Sequence, residues 1–140
     1  MFVSHGSYQI VPLDSGRIIK VIFTGAWNKE AVAGFFQDMK TCPKADIWVA
    51  MADLRDWEGA TPDLIAAYMP VIDWCLANGE CATVHVYKHD WQRLFVDKLR
   101  AYREQQGVPQ ASFQSEAGAI AWANSQLDEV TAKKVVNSRA

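Results

Sequence analysis

No run in this 140-residue chain approaches the ~18 unbroken apolar residues that a bilayer core requires. The start, Met1-Phe2-Val3-Ser4-His5, offers no basic segment followed by an apolar core, so no secretory signal is read there. The chain is therefore not expected to be an integral membrane protein, and a cytoplasmic location is expected. Its three cysteines, Cys42, Cys75 and Cys81, are odd in number and lack the close paired spacing of a zinc or redox site, so they read as free thiols. Absent too are the G-x-x-x-x-G-K phosphate loop, the G-x-G-x-x-G dinucleotide turn and the G-x-S-x-G nucleophile elbow. No cofactor and no metal are expected. Neither sign of charge dominates: 14 Lys and Arg are interleaved with 16 Asp and Glu for a net charge of −2, so nucleic acid is not an expected partner.

What is present is apolar: half the residues are hydrophobic, and a chain of this length buries roughly 68% of its unfolded surface as one domain. The organising stretch begins with Ile47-Trp48-Val49-Ala50-Met51-Ala52, a short apolar run that reads as a strand buried on both faces. Charge arrives at Asp53, and the chain is then read as an acidic loop through Asp56, Trp57, Glu58 and Gly59 to Thr61-Pro62. There Thr61 is placed as the N-cap of a helix and Pro62 at its first position. In such βα units ligands gather beyond the carboxyl ends of the strands, which makes Asp53 to Thr61 the first place to look for function.

Ahead of this unit, Tyr8 to Pro12 and Arg17 to Phe23 are β-branched runs joined by Leu13-Asp14-Ser15-Gly16, a hairpin with its proline-bearing strand at an edge. Asn28 is placed to cap a helix to about Lys40, with Trp27 and Val32 as its hydrophobic staple. A helix from Thr61 to Asn78-Gly79 contains Pro70, and a strand covers Thr83 to Tyr87. A long helix capped by Asp90 has Leu94, Phe95, Leu99 and Tyr102 as its inner face and Arg93, Asp97, Arg100, Arg103 and Glu104 as a solvated one. A short strand at Ala111 to Phe113 and a helix capped by Ser115, bearing Ile120, Trp122 and Leu127, close the domain. The order demands an α/β fold: a mainly parallel four- to five-stranded sheet with an N-terminal antiparallel hairpin and crossover helices. Residues 1–127 form one domain, and 128–140 are read as a polar tail.

Three patches resemble the SpoIIAA-like proteins, relatives of the STAS domains that share a fold with CRAL-TRIO lipid-carrying domains. They are Asp53-Leu54-Arg55-Asp56-Trp57-Glu58-Gly59, the Val84-His85-Val86 strand followed by Trp91, and Ala119-Ile120-Ala121-Trp122. The resemblance covers roughly Tyr8 to Leu127. It implies a regulatory or carrier role rather than catalysis. In the STAS antagonists of anti-sigma factors an Asp-Ser pair begins the helix after the central strand, and that serine is phosphorylated. Here Thr61-Pro62 stands near that place, with proline about where the acceptor would be.

Among candidate site residues, Trp27, Trp57 and Trp91 each follow a strand, so parallel strands would bring all three rings to one edge of the sheet. With Tyr68 and Met69 on the proline-bearing helix nearby, a cleft between helix and sheet would suit a small apolar, lipid-like ligand. The alternative is that each indole packs on its neighbouring helix. Asp53, Asp56, Glu58 and Asp63 crowd one segment, where the readings are oxygen ligands for a cation, partners of Arg55, groups that favour helix dipoles or simply solvated carboxylates. His85 shares a sheet face with Thr83 and Tyr87, as a satisfied buried imidazole or a polar anchor. The expected function is a non-catalytic binding or regulatory module that takes a small apolar ligand or a protein partner, a second copy of itself included, through Trp27, Asp53, Arg55, Trp57, Thr61, Tyr68, His85 and Trp91. The competing readings are a phospho-switch at Thr61 and a small enzyme using Asp53, Asp56 and His85 in acid–base roles.

Overall fold

The computed structural model describes residues 6–139, with side chains through residue 134; the amino-terminal signal reading lies outside them. Strand β1 (Ser7–Leu13) turns through Asp14–Gly16 into β2 (Ile18–Trp27). The remaining elements alternate: α1 (Lys29–Thr41), β3 (Trp48–Ala60), α2 (Leu64–Ala77), β4 (Glu80–Val86), α3 (Asp90–Gln105), β5 (Gln110–Phe113) and α4 (Glu116–Arg139). The sheet order is β1-β2-β3-β4-β5, antiparallel at β1–β2 and parallel at every later pair. Pro12 lies in the edge strand β1, where its missing N–H costs least.

Side-chain alternation along the strands builds two cores. Ile19, Val21, Phe23, Trp48 and Leu54 join buried side chains of α1, α2 and α3 on one face. Ile18, Val49, Met51, Val84 and Val86 pack on α4 across the other. Helix α1 starts as its sequence predicts: the Asn28 side chain accepts from Ala31 N at 3.0 Å, and Trp27 and Val32 are both buried in the first core.

Several expectations are corrected. The acidic segment after Ala52 is not a loop, because β3 continues through Asp53, Arg55 and Trp57 to Ala60. It does so with two bulges. Ile22 pairs with Asp53 but Thr24 with Asp56, and Gly25 pairs with Trp57 but Ala26 with Gly59, so β3 holds an extra residue at each place. The bulges put Leu54 and Trp57, three apart, into one core. Thr61 does not cap α2; that helix begins at Leu64 after a turn, and the Thr61 hydroxyl donates to Asp63 Oδ1 at 2.6 Å. Asp90 is the first residue of α3 rather than its cap, which is His89. The buried stripe of α3 is Gln92, Val96, Leu99 and Arg103, so Arg103 leaves the solvated face assigned to it and Leu94 takes an exposed place. On α4 the fully buried positions are Ala119, Ala123 and Leu127, with Ile120 and Trp122 partly buried beside them, because the helix lies close against the sheet on its small residues. Residues 128–139 extend α4 as helix.

Candidate functional site

The face of the sheet under α1, α2 and α3 is incompletely filled. At its centre β3 presents only Ala50 and Ala52, whose methyl groups leave space beneath the helices that Tyr68, Val71 and Cys75 do not close. The result is a cavity of about 80 Å³. Its two sides differ in chemistry. Toward β2 and α1 it is walled by Val21, Phe23, Trp27 and Phe35, and toward the strand ends by Leu54, Trp57 and Phe95. Toward β4 and α3 it meets Glu80, Thr83, His85 and Arg103, all buried.

The polar side is tuned by burial. The Thr83 hydroxyl donates to Glu80 Oε1 at 2.7 Å. Burial raises the Glu80 carboxyl above its ordinary range, against the opposing pull of Arg103 and of the Thr83 hydroxyl. Burial first, then the positive charges of Arg103 and Arg100, hold His85 well below the usual imidazole value, so it is neutral. Desolvation likewise pushes the Cys75 thiol up to about 12 and raises the Tyr68 phenol. Cys75 is thus a protonated apolar wall rather than a nucleophile. Arg103 is 5% exposed, and its Nε and Nη1 have no hydrogen-bond partner among the described residues.

The sequence-predicted residues divide between the two sheet faces. Trp27 and Trp57 reach the same end of the parallel strands and line the cavity, and Tyr68 and His85 line it too. Trp27 is also held by its own packing: its Nε1 donates to the Ser7 and Thr24 carbonyls at 3.2 and 3.1 Å, and its ring meets Tyr8, Phe23 and Phe35. Trp57 is buried between Phe95 and Trp91, with ring centroids at 4.6 and 5.2 Å, whereas Trp91 is 42% exposed. Asp53 and Arg55 do not join them. Asp53 is in register with Val86, and His85 with Ala52, so the carboxylate and the imidazole leave the sheet on opposite faces. On the α4 face Arg55 Nε and Nη2 donate to both Asp53 oxygens at 2.9 and 2.7 Å, Arg55 Nη2 lies 3.6 Å from Glu116, and Lys20 pairs with Glu116. Asp56 and Thr61 are exposed. The acid–base trio of Asp53, Asp56 and His85 is therefore not assembled. Among the described residues no group of three or more His, Cys, Asp or Glu is arranged to hold a metal, and no helix is long and apolar enough to cross a membrane.

Sequence reasoning missed Glu80, Gln92 and Arg103. The signal for the last two was the spacing 92, 96, 99, 103, which is one helical stripe whose middle is apolar and whose ends are polar.

The arrangement has a counterpart among solved structures. An uncharacterised protein of the DUF3478 family from Shewanella loihica PV-4, described as having a SpoIIAA-like fold, superposes with a TM-score of 0.58. The match covers 88% of this chain and 97% of that one, at 11% sequence identity. The fold is SpoIIAA-like. At that identity the likeness concerns the SpoIIAA-like architecture alone. No family model matches the sequence, and no curated protein does.

Proposed function

We propose that this SpoIIAA-like domain is a binding module that holds a small, largely apolar molecule between its sheet and helices α1 to α3. The cavity of about 80 Å³ between Trp27, Trp57, Tyr68 and His85 is the observation that carries this reading. Such a volume has room for a few waters at about 30 Å³ each, yet most of its wall is aliphatic and aromatic carbon that would leave those waters poorly bonded. An apolar guest gains by displacing them. The separation of Asp53 from His85 argues for binding over acid–base turnover. Native mass spectrometry of the purified protein tests the proposal: a carried ligand adds mass that organic extraction removes. A chain that emerges at its bare mass and gives no heat with any small apolar solute has no such function.

A second reading rests on a separate observation. Among the described residues Trp91 and Leu94, at 42% and 59% exposure, are the large apolar side chains left on the outside, next to each other on the first turns of α3. They would suit a protein partner or a second copy of this chain. Sedimentation of the native chain against Trp91→Ala and Leu94→Ala across a concentration series reads out self-association directly.

A further inference from the structure

We propose that the cavity selects an amphipathic acid, whose apolar body lies against Trp27, Phe35 and Trp57 and whose anionic head is received by the guanidinium of Arg103. This deepens the binding reading above and rests on it. A guanidinium is charged at every physiological pH and has five N–H donors to satisfy. Arg103 is 95% removed from solvent, and neither its Nε nor its Nη1 finds an acceptor among the described residues. No carboxylate there lies within ion-pair distance of it either, although six other ion pairs form elsewhere. Burying a charge without a counterion is strongly unfavourable, so a domain tolerates it chiefly where something else supplies the missing partner.

The neighbours on that wall do not supply it. Glu80 is the nearest candidate by position, but its Oε1 accepts from the Thr83 hydroxyl. Burial moves the Glu80 carboxyl toward its protonated form and keeps the His85 imidazole neutral. Arg103 thus keeps two unpartnered donor nitrogens on a wall it shares with Glu80, Thr83 and His85. Nε and Nη1 open on different edges of the guanidinium and both lack partners, so an oxygen of a carboxylate, sulfonate or phosphate met at either edge makes a charge-assisted contact. The opposite wall is hydrocarbon, so a bare inorganic anion would leave it unfilled. An acid with a short aliphatic or aromatic body satisfies both walls at once. The volume of about 80 Å³ points to a compact acid rather than a long-chain one.

Three probes with one tail and different heads test this: hexanoate, 1-hexanol and hexylammonium, titrated calorimetrically into the native chain and into Arg103→Met at neutral pH. Methionine keeps the apolar stem and removes the charge. Hexanoate is expected to bind the native chain about ten- to hundred-fold more tightly than hexanol, as a charge-assisted contact in a dry site allows, and hexylammonium not measurably. In Arg103→Met the acid should lose that advantage while hexanol binds as before. Thermal melting of the unliganded variant should be unchanged or raised, because a buried unpaired charge has gone. Equal affinity of the native chain for acid and alcohol, or an acid preference that survives in Arg103→Met, overturns the anion assignment while leaving the apolar cavity reading intact. A variant that fails to fold also overturns it, since the guanidinium would then be held by the fold itself. If none of the three probes binds the native chain, the cavity reading falls and takes this inference with it.

Discussion

Gln92 binds two carbonyls of the bulged strand: its Nε2 donates to Leu54 O at 2.6 Å and to Trp57 O at 3.0 Å. Its Oε1 accepts from the backbone N–H groups of Lys88 and His89 at 2.8 and 3.0 Å. One buried amide thus satisfies backbone groups that the bulges of β3 and the entry to α3 leave without ladder partners. It also ties α3, which carries Arg103 and Phe95, to the strand that carries Trp57.

Gln92→Leu, of similar volume, should therefore be among the most damaging single changes in the domain. Each buried backbone group left unpaired costs about 1–3 kcal/mol, and the loss is shared among several of them. Gln92→Glu should be worse at neutral pH, because a carboxylate would face two carbonyl oxygens, and should recover as pH falls and the carboxyl gains a proton it can donate. Chemical denaturation of both variants at neutral and mildly acidic pH separates these outcomes. A Gln92→Leu midpoint equal to the native one would show that water replaces the clamp.

Asp53 and Arg55 form a two-pronged pair on the α4 face. Burial works to raise the Asp53 carboxyl, but the Arg55 side-chain and backbone hydrogen bonds and the Arg55 and Lys20 charges outweigh it and leave it below 3.8. A depressed carboxylate contributes stability that is present above its unfolded value and is lost as pH falls through the folded one. Asp53→Asn should then cost about 1–2 kcal/mol at neutral pH, a figure reduced because the Arg55 side chain is 37% exposed. The difference between native and variant should vanish in strong acid. It should leave hexanoate binding unchanged, since the pair lies across the sheet from the cavity; altered binding would place the site elsewhere.

The architecture was legible because periodicity, caps and turn residues agreed with one another: Asn28 caps α1, Pro12 sits at the edge, and the strand–helix alternation forces parallel pairing. The site was legible only in part. Trp27, Trp57, Tyr68 and His85 stand out by residue type and do line the cavity, but Arg103 was hidden. Its neighbours Arg93, Asp97, Arg100 and Glu104 have the mixed charge of a solvated face. A buried arginine differs from them only in sharing a stripe with Val96 and Leu99. Asp53 to Ala60 read as loop because two bulges break the period of 2 that marks a strand, and because a buried acid looks like a solvated one until its partner Arg55 is seen beside it.

Gly79 is required by both conformation and contact. Its φ of +107° is a backbone state that other residues rarely adopt, and a Cβ there would stand 2.2 Å from Asp46 O. Its own carbonyl accepts from Trp48 N at 3.0 Å, so the turn between α2 and β4 sets where β3 begins. Gly79→Ala should cost at least about 1–3 kcal/mol from strain alone, with the clash added to it. Gly107, with φ +72° and no atom within 4 Å of its virtual Cβ, should show the strain without the clash and lose less on the same change. Equal losses at the two positions would mean that Asp46 moves aside at no cost.

His85 and Glu80 should give the domain two opposed pH responses. The folded His85 value lies well below 6.5, so below that pH the unfolded chain binds a proton that the folded chain refuses. Stability from this group is complete above about 6.5 and falls as pH drops beneath it. The Glu80 carboxyl, raised above 4.5, behaves in the other sense: the unfolded chain releases its proton first, so stability falls as pH rises through the window above 4.5. His85→Gln should flatten the acid-side loss that begins near 6.5, and Glu80→Gln should remove the loss on the way up from 4.5. Urea midpoints measured from about pH 4 to about pH 8 on the native chain and both variants resolve the two arms. If His85→Gln leaves the acid-side slope unaltered, the imidazole titrates freely and the wall around Arg103 is wetter than its burial implies.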